Sequence, residues 1–202
     1  MQLNLSYVSA ATLAIIVINS LIFGVGYILK SQNEIIVNYG FIPDQLFKEN
    51  SHKPADIITR LFSSMFIHAN LTHLIFNMIS LIYLGAFAER SVGIPRYLTI
   101  YIVAGISGAL LHGIVTSYIL GNGSSILVGA SGAISGVLGI AAALGNIRGY
   151  YWLAIQILFA GLGTFTSISI AFLAHVGGFL AGLLLTKMMI VAEQRRVRAW
   201  DA

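Results

Sequence analysis

Apolar residues run along most of the chain with few charged residues among them. Four long stretches contain no Asp, Glu, Lys or Arg: Met1–Leu29, Leu61–Ala88, Tyr97–Ile147 and Gly149–Thr186. A helix needs roughly 20 mainly apolar residues to cross the hydrocarbon core of a bilayer. Each of the first two stretches therefore has room for one transmembrane helix, and each of the last two has room for two.

Short turn-forming segments divide the two longer stretches. Gly121–Ser125, with the sequence GNGSS, is a strong turn signal, and Thr164–Ser167, with the sequence TFTS, is a weaker one. The pattern predicts an all-α membrane protein, a six-helix transmembrane bundle that forms a single domain over residues 1–202. The predicted helices lie near residues 8–29, 69–88, 96–119, 131–146, 149–165 and 169–190.

A long first loop, residues 30–68, separates the first two predicted helices. It contains the sequence NYGFIPDQLF at Asn38–Phe47, which is apolar and aromatic but too short to span a membrane. Aromatic content of this kind is not typical of disordered segments. We expect this loop to lie at the membrane interface.

Composition supports a membrane protein, because 57% of the residues are hydrophobic and only 9% are charged. The chain has no cysteine, which excludes disulfides and thiolate metal sites. The net charge of +4 is too small and scattered for a nucleic-acid surface. The basic cluster at Glu193–Trp200 instead predicts an anchor to membrane lipids.

Basic residues predict the orientation in the membrane. With six spans, seven basic residues fall on the side of both termini: Arg90, Arg96, Arg148, Lys187, Arg195, Arg196 and Arg198. The opposite side has four, all in the first loop: Lys30, Lys48, Lys53 and Arg60. By the positive-inside rule both termini are cytoplasmic. The residues before the first apolar run lack Lys and Arg, which favours a retained helix over a cleaved leader. We expect a multi-pass protein of the plasma membrane.

Polar side chains interrupt the apolar pattern near the start of the second, fourth and sixth predicted helices. The first cluster is His68, Asn70, His73 and Asn77, the second is Ser131 and Ser135, and the third is His175. The three helices run in the same direction across the membrane, so the polar clusters share one depth. Polar groups are costly in a bilayer and usually have a function there.

The residue types predict a serine nucleophile. Ser131 opens the fourth helix, where free backbone N–H groups favour negative charge, and His175 is the candidate general base. Close approach of these helices is favoured by two small-x₃-small pairs: Gly132 with Gly136, and Gly178 with Gly182. His73 and Asn77 project from one helix face and are candidate donors to an oxyanion.

Other chemistries have less support in the sequence. No carboxylate lies near the clusters to orient His175, so a dyad is expected, and the three aspartates fall outside the predicted spans. No H-E-x-x-H motif occurs, and we predict neither a metal nor a cofactor. Three alternatives stay open: Ser131 as a packing residue, a non-catalytic protein that binds membrane clients, and a small transporter or channel.

Four motifs together give the chain a family resemblance. They are Gly129-Ala130-Ser131-Gly132, Ala174-His175-Val176-Gly177-Gly178, His73 with Asn77, and Gly85 with Glu89 and Gly93. Over residues 60–190 the chain resembles the rhomboid intramembrane serine proteases.

The resemblance implies a Ser131–His175 dyad in a water-filled cavity that opens to the extracytoplasmic side. It implies an oxyanion hole of His73, Asn77 and the Ser131 backbone N–H, with Gly129, Gly132 and His68 in supporting positions. The implied function is an intramembrane serine endopeptidase, a hydrolase that cleaves single-span membrane proteins within or beside their transmembrane segment. The sequence makes no prediction of the oligomeric state.

Two positions depart from the family pattern. Family members often carry an aromatic residue four positions after the nucleophile, against which the histidine packs, and here that residue is Ser135. A Trp-Arg pair is common in the first loop, and here it is Thr59-Arg60. The first departure leaves open which residues position His175.

Overall fold

The structure is a computed structural model that describes residues 9–48, 53–163 and 171–200. These ranges contain nine α-helices and one 3₁₀ turn, Ser64–Phe66. The helices are α1 (Ala10–Ile28), α2 (Gln32–Tyr39), α3 (Pro43–Phe47), α4 (Pro54–Ser63), α5 (Leu71–Val92), α6 (Ile94–Tyr118), α7 (Ser131–Ala143), α8 (Arg148–Gly163) and α9 (Phe172–Trp200). The six predicted helices correspond, in order, to α1, α5, α6, α7, α8 and α9.

Four of the described helices, α1, α5, α6 and α9, are long and apolar enough to cross a membrane. The chain is thus an all-α membrane protein. Helix α7 is apolar but has only 13 residues, and α8 has 16. At 1.5 Å per residue α7 is roughly 20 Å long, shorter than the roughly 30 Å hydrocarbon core.

Three observed helix ends differ from the predicted ones, and in α5 and α7 the end lies at or near a glycine and not at a charged residue. Helix α5 continues past Ala88 to Val92 and stops at Gly93, which has a φ of +81°. Helix α7 ends at residue 143 and not 146, two residues before Gly145 at φ +98°. Helix α9 runs ten residues beyond the predicted end at 190.

Some predicted features fall outside the described residues. They are the break at Thr164–Ser167, the start of the predicted helix 8–29, the end of the predicted helix 149–165 and the start of the predicted helix 169–190.

The first loop is helical where it is described, with α2, α3 and α4 in it. Phe41 and Leu127 exchange backbone hydrogen bonds, with N–O distances of 3.0 and 2.8 Å. Arg60 donates to the backbone oxygens of Val37 and Gly40, at 2.8 and 2.9 Å. The loop therefore braces the extended segment that leads into α7.

Glycines bring α6, α7 and α9 into backbone contact. A Cβ added at Gly178 would collide with the Gly132 carbonyl oxygen, and one at Gly182 with the Gly136 carbonyl oxygen. On the other side of α9, a Cβ at Gly108 of α6 would collide with the carbonyl oxygen of Ala174. The expected small-residue faces of α7 and α9 do meet, and they fix the separation of these two helices.

The motif of Gly85, Glu89 and Gly93 joins α5 to α1. Glu89 is 3% exposed, and its carboxylate accepts hydrogen bonds from the Thr12 N–H and hydroxyl, both at 2.8 Å, and from the Ala11 N–H at 3.2 Å. It thereby caps the N-terminus of α1. A Cβ at Gly85 would press against the Thr12 side chain, so the glycine makes room for this contact.

Candidate active site

Ser131 and His175 meet where α7 and α9 cross. The Oγ of Ser131 lies 2.8 Å from Nε2 of His175, although the residues are 44 positions apart in the sequence. This distance is within the hydrogen-bond range that a serine nucleophile and its general base require. Both residues were predicted from the sequence, and the structure brings them together.

Ser131 is held by the segment before α7. The Gly129 N–H donates to the backbone oxygen of Ser64 at 2.8 Å, and Gly129 has a φ of +123°, a conformation that favours glycine. Ser131 is the first residue of α7, where the leading N–H groups have no partner within the helix. These free donors lie beside the serine hydroxyl.

His73 and Asn77 line the same cavity from α5. Asn70 caps this helix, because its Oδ1 accepts from the His73 N–H at 2.8 Å. A Cβ at Gly129 would lie 2.7 Å from His73 Nε2, so the imidazole packs directly against the segment before Ser131. Asn77 is 5% exposed and donates one amide N–H to the His73 carbonyl oxygen at 2.9 Å.

His68 lies behind His73 and outside the cavity lining. Its ring is fully buried and packs edge-on against the His73 ring, with centroids 5.0 Å apart. Burial, helped by the proximity of His73, lowers the pKa of His68 to about 3, so its imidazole is neutral at physiological pH. Gln32 fixes the segment by donating to the His68 carbonyl oxygen at 2.6 Å.

A cavity of about 630 Å³ joins these side chains. Its polar lining comes from four helices: Asn70 and the neighbouring His73, Asn77 and Ser80, then Ser131 and Ser135, then Gln156, then His175. Four residues predicted for the site, His73, Asn77, Ser131 and His175, therefore share one space. Gly132 lies at the α7–α9 crossing instead, where an added Cβ would be 3.5 Å from the Ala174 carbonyl oxygen.

The ring of His175 is surrounded by side chains that the sequence did not single out. Its Nδ1 lies 2.7 Å from Oε1 of Gln156 on α8. The rings of Trp152 and Phe172 have centroids 6.0 and 6.1 Å from its own. Ser135 does not replace the missing aromatic residue, because its hydroxyl donates to the Ser131 carbonyl oxygen at 2.6 Å.

One signal in the sequence could have identified Gln156. It is the only amide side chain in the charge-free sequence from Gly149 to Gly163, which is otherwise apolar, aromatic or glycine. The rule that polar groups inside a bilayer have a function applies to it as it does to the histidines.

Comparison with known proteins places this chain in a family. The family model of the Rhomboid domain matches residues 56–192. RHOMBOID-like protein 5 of Arabidopsis thaliana is 32% identical over 143 residues, which cover 67% of this chain and 45% of that protein. RHOMBOID-like protein 2 of the same plant is 33% identical over 158 residues, 71% of this chain and 45% of that protein.

A bacterial relative has a similar level of identity. Rhomboid protease GluP of Bacillus subtilis (strain 168) is 34% identical over 143 residues, which cover 67% of this chain and 27% of that protein. The match spans less than half the length of each of these three relatives.

Proposed function

The chain belongs to the rhomboid family, and from this premise we propose that it is an intramembrane serine endopeptidase. The observation that carries the proposal is the 2.8 Å contact between Ser131 Oγ and His175 Nε2 inside a polar-lined cavity. The proposed nucleophile is Ser131, and His175 is its general base.

The proposed reaction is acyl transfer in two steps. His175 Nε2 takes the hydroxyl proton as Ser131 Oγ attacks the carbonyl carbon of the scissile peptide bond. The tetrahedral intermediate then expels the amine, which receives that proton from His175, and an acyl-enzyme ester remains. Water attacks this ester with the help of the same base and releases Ser131 and the carboxylic acid product.

The developing oxyanion requires donors, and three are available near Ser131. They are the His73 imidazole, the second N–H of the Asn77 amide and the backbone N–H of Ser131, the first residue of α7. In this proposal Gly129 and Gly132 position Ser131, and His68 supports His73 from behind.

We also propose the topology predicted from the sequence. Residues 1–202 form one rhomboid-like domain in which α1, α5, α6, α7, α8 and α9 make six crossings. The excess of Lys and Arg on the side of the termini supports a cytoplasmic location for both. The cavity then opens to the outside of the plasma membrane, and the first loop lies at the interface.

The proposed substrates are single-span membrane proteins, cut within or next to the transmembrane segment. A peptide bond inside a helix has its carbonyl oxygen engaged in the helical ladder, and side chains shield it. The substrate helix must therefore unwind locally before Ser131 attacks it. Segments with helix-breaking residues such as glycine and proline unwind at the lowest cost.

The test uses a fluorophosphonate probe, which labels activated serines and needs no known substrate. Purified wild type, Ser131→Ala and His175→Ala are compared for labelling in detergent and for cleavage of a single-span reporter in liposomes. We expect both variants to lose labelling and cleavage while unfolding at the wild-type temperature. A folded wild type that neither labels nor cleaves would overturn the proposal and favour a client-binding protein without catalysis.

A further inference from the structure

Gln156 occupies an unusual place on α8. From Tyr150 to Phe159, Gln156 is the only buried residue of this helix, at 9% exposed. Its Oε1 lies 2.7 Å from Nδ1 of His175, on the opposite side of the imidazole from Ser131. The one side chain that α8 buries here is thus polar and directed at the proposed base.

The two contacts of His175 fit the tautomer that a general base needs. To accept the Ser131 proton, Nε2 must be unprotonated, and a neutral imidazole then carries its hydrogen on Nδ1. A carbonyl oxygen only accepts hydrogen bonds, so the Gln156 Oε1 at 2.7 Å is matched to Nδ1–H. With the hydrogen on Nε2 instead, His175 would have no free lone pair for the Ser131 proton.

An amide suits this location better than a carboxylate would. An unpaired carboxylate in an apolar interior has a large desolvation cost, whereas a neutral amide oxygen accepts the same hydrogen bond at a lower cost. Among the described residues, the carboxylate with the deepest burial is Glu89, which is engaged with α1. Gln156 therefore supplies the acceptor without placing a charge beside the cavity.

We propose that Gln156 is a positioning residue that holds His175 as the Nδ1–H tautomer, so that Nε2 faces Ser131 as a base. The inference rests on the proposed function. It joins Ser131, His175 and Gln156 in one chain of hydrogen bonds across α7, α9 and α8. Trp152, one turn before Gln156, packs beside the same imidazole and limits its rotation.

The first arm of the test measures cleavage of a reporter in liposomes. Gln156→Met keeps the length of the side chain and removes the acceptor, and we expect kcat to fall roughly 100-fold with little change in KM. Gln156→Glu restores an oxygen acceptor in either protonation state, and we expect it to recover kcat to within about tenfold of wild type. Ile155→Ala, which shortens an outward-facing neighbour, is the matched control and should cleave like wild type.

The second arm reads the tautomer without needing activity. The chain has five histidines, so ¹⁵N-histidine labelling with His175→Ala as the assignment control identifies the two ring nitrogens of His175. In wild type we expect protonated Nδ1 and unprotonated Nε2. In Gln156→Met both shifts should move toward a mixture of tautomers, and in Gln156→Glu they should stay separate.

Two results would overturn the inference. One is a folded Gln156→Met whose kcat stays within twofold of wild type. The other is a set of His175 nitrogen shifts that does not change in this variant, even if cleavage falls. If Gln156→Met does not fold, Gln156→Leu takes its place. A wild type that shows the expected tautomer but no labelling or cleavage would refute the protease proposal alone and leave the hydrogen bond established.

Discussion

Helix α9 contacts two neighbours in opposite ways. Against α7 it packs backbone on backbone, because Gly178 and Gly182 leave no space for a Cβ. Against α8 it packs through large rings: the ring centroids of Trp152 and Tyr150 lie 6.0 and 6.2 Å from that of Phe179. The outer face of α8 consists of exposed apolar residues such as Ile157.

The difference separates two requirements of the site. The α7–α9 crossing fixes the distance between Ser131 and His175 through the positions of the two backbones, which cannot shift without breaking the contact. The α8–α9 contact fixes the orientation of the His175 ring through side chains, which have rotamers and can be exchanged. Variants at the first contact should therefore damage fold and activity together, and variants at the second should damage activity first.

The largest effect is expected for Gly182→Val at the α7–α9 crossing. The new side chain would overlap the Gly136 backbone, and we expect a loss of stability of roughly 1–3 kcal/mol. Reporter cleavage should fall by more than about 100-fold, since a shift of 1 Å between reacting groups has effects of that size. Thermal unfolding in detergent and cleavage in liposomes measure the two losses.

The control for this variant is Gly24→Ala on α1. Apart from the backbone of α1 itself, no atom lies within 4 Å of a Cβ at Gly24, so this added methyl group should leave cleavage unchanged and should not lower the unfolding temperature. Wild-type cleavage by Gly182→Val would show that the crossing does not set the dyad distance.

The second-largest effect concerns the oxyanion donors on α5, a helix that takes part in neither the α7–α9 contact nor the α8–α9 contact. Asn77→Ala should lower kcat by roughly 10²–10³-fold, or about 2.7–4 kcal/mol, with little change in thermal stability. Ser91→Ala is the matched control: Ser91 also donates to the backbone oxygen four residues earlier, Phe87, but it lies outside the cavity lining. Equal kcat values for the two variants would exclude Asn77 from the oxyanion hole.

The third effect tests the α8 side of the comparison. Trp152→Leu removes a ring beside His175, and we expect kcat to fall about tenfold, or ~1.4 kcal/mol, with a smaller change in unfolding temperature. Tyr151→Leu alters a 64% exposed neighbour on the same helix and should behave as wild type. A Trp152 variant that loses stability but keeps its kcat would reverse the roles assigned to the two contacts.

The smallest effect is expected for Ser135→Ala. The Ser135 hydroxyl donates within α7 to the Ser131 carbonyl oxygen and has no bond to His175, so cleavage should stay within about twofold of wild type. A tenfold loss measured in the same reporter assay would mean that the Ser135 hydroxyl contributes to catalysis through its bond to Ser131.

The sequence predicted the helices and the main site residues for the same physical reason. Stretches without charge locate the helices, and the few polar residues inside them locate the cavity, because polar groups are costly in a bilayer. Ser131, His73, Asn77 and His175 were found in this way, and the structure places all four on one cavity. The confirmed family membership follows from the motifs that contain them.

Other features depend on contacts between helices, which a linear pattern does not contain. Charged residues marked predicted helix ends, but α5 continues past residue 88 through Arg90 and α9 continues past residue 190 through Glu193, since charged side chains do not interrupt a helical backbone. Gln156 was missed because its importance comes from the register of α8 against α9. Its sequence neighbours give no sign that its amide reaches an imidazole 19 positions away.

The buried carboxylate of Glu89 connects the region that matches the family model to a helix outside that region. The family match begins at residue 56, after α1, yet Glu89 inside the match takes all three of its described hydrogen bonds from Ala11 and Thr12. A fragment cut at the boundary of homology would lose every one of those donors, and a buried acceptor left without its partner costs about 1–3 kcal/mol. Contacts that stabilise the matched region therefore reach residues that lie outside the match.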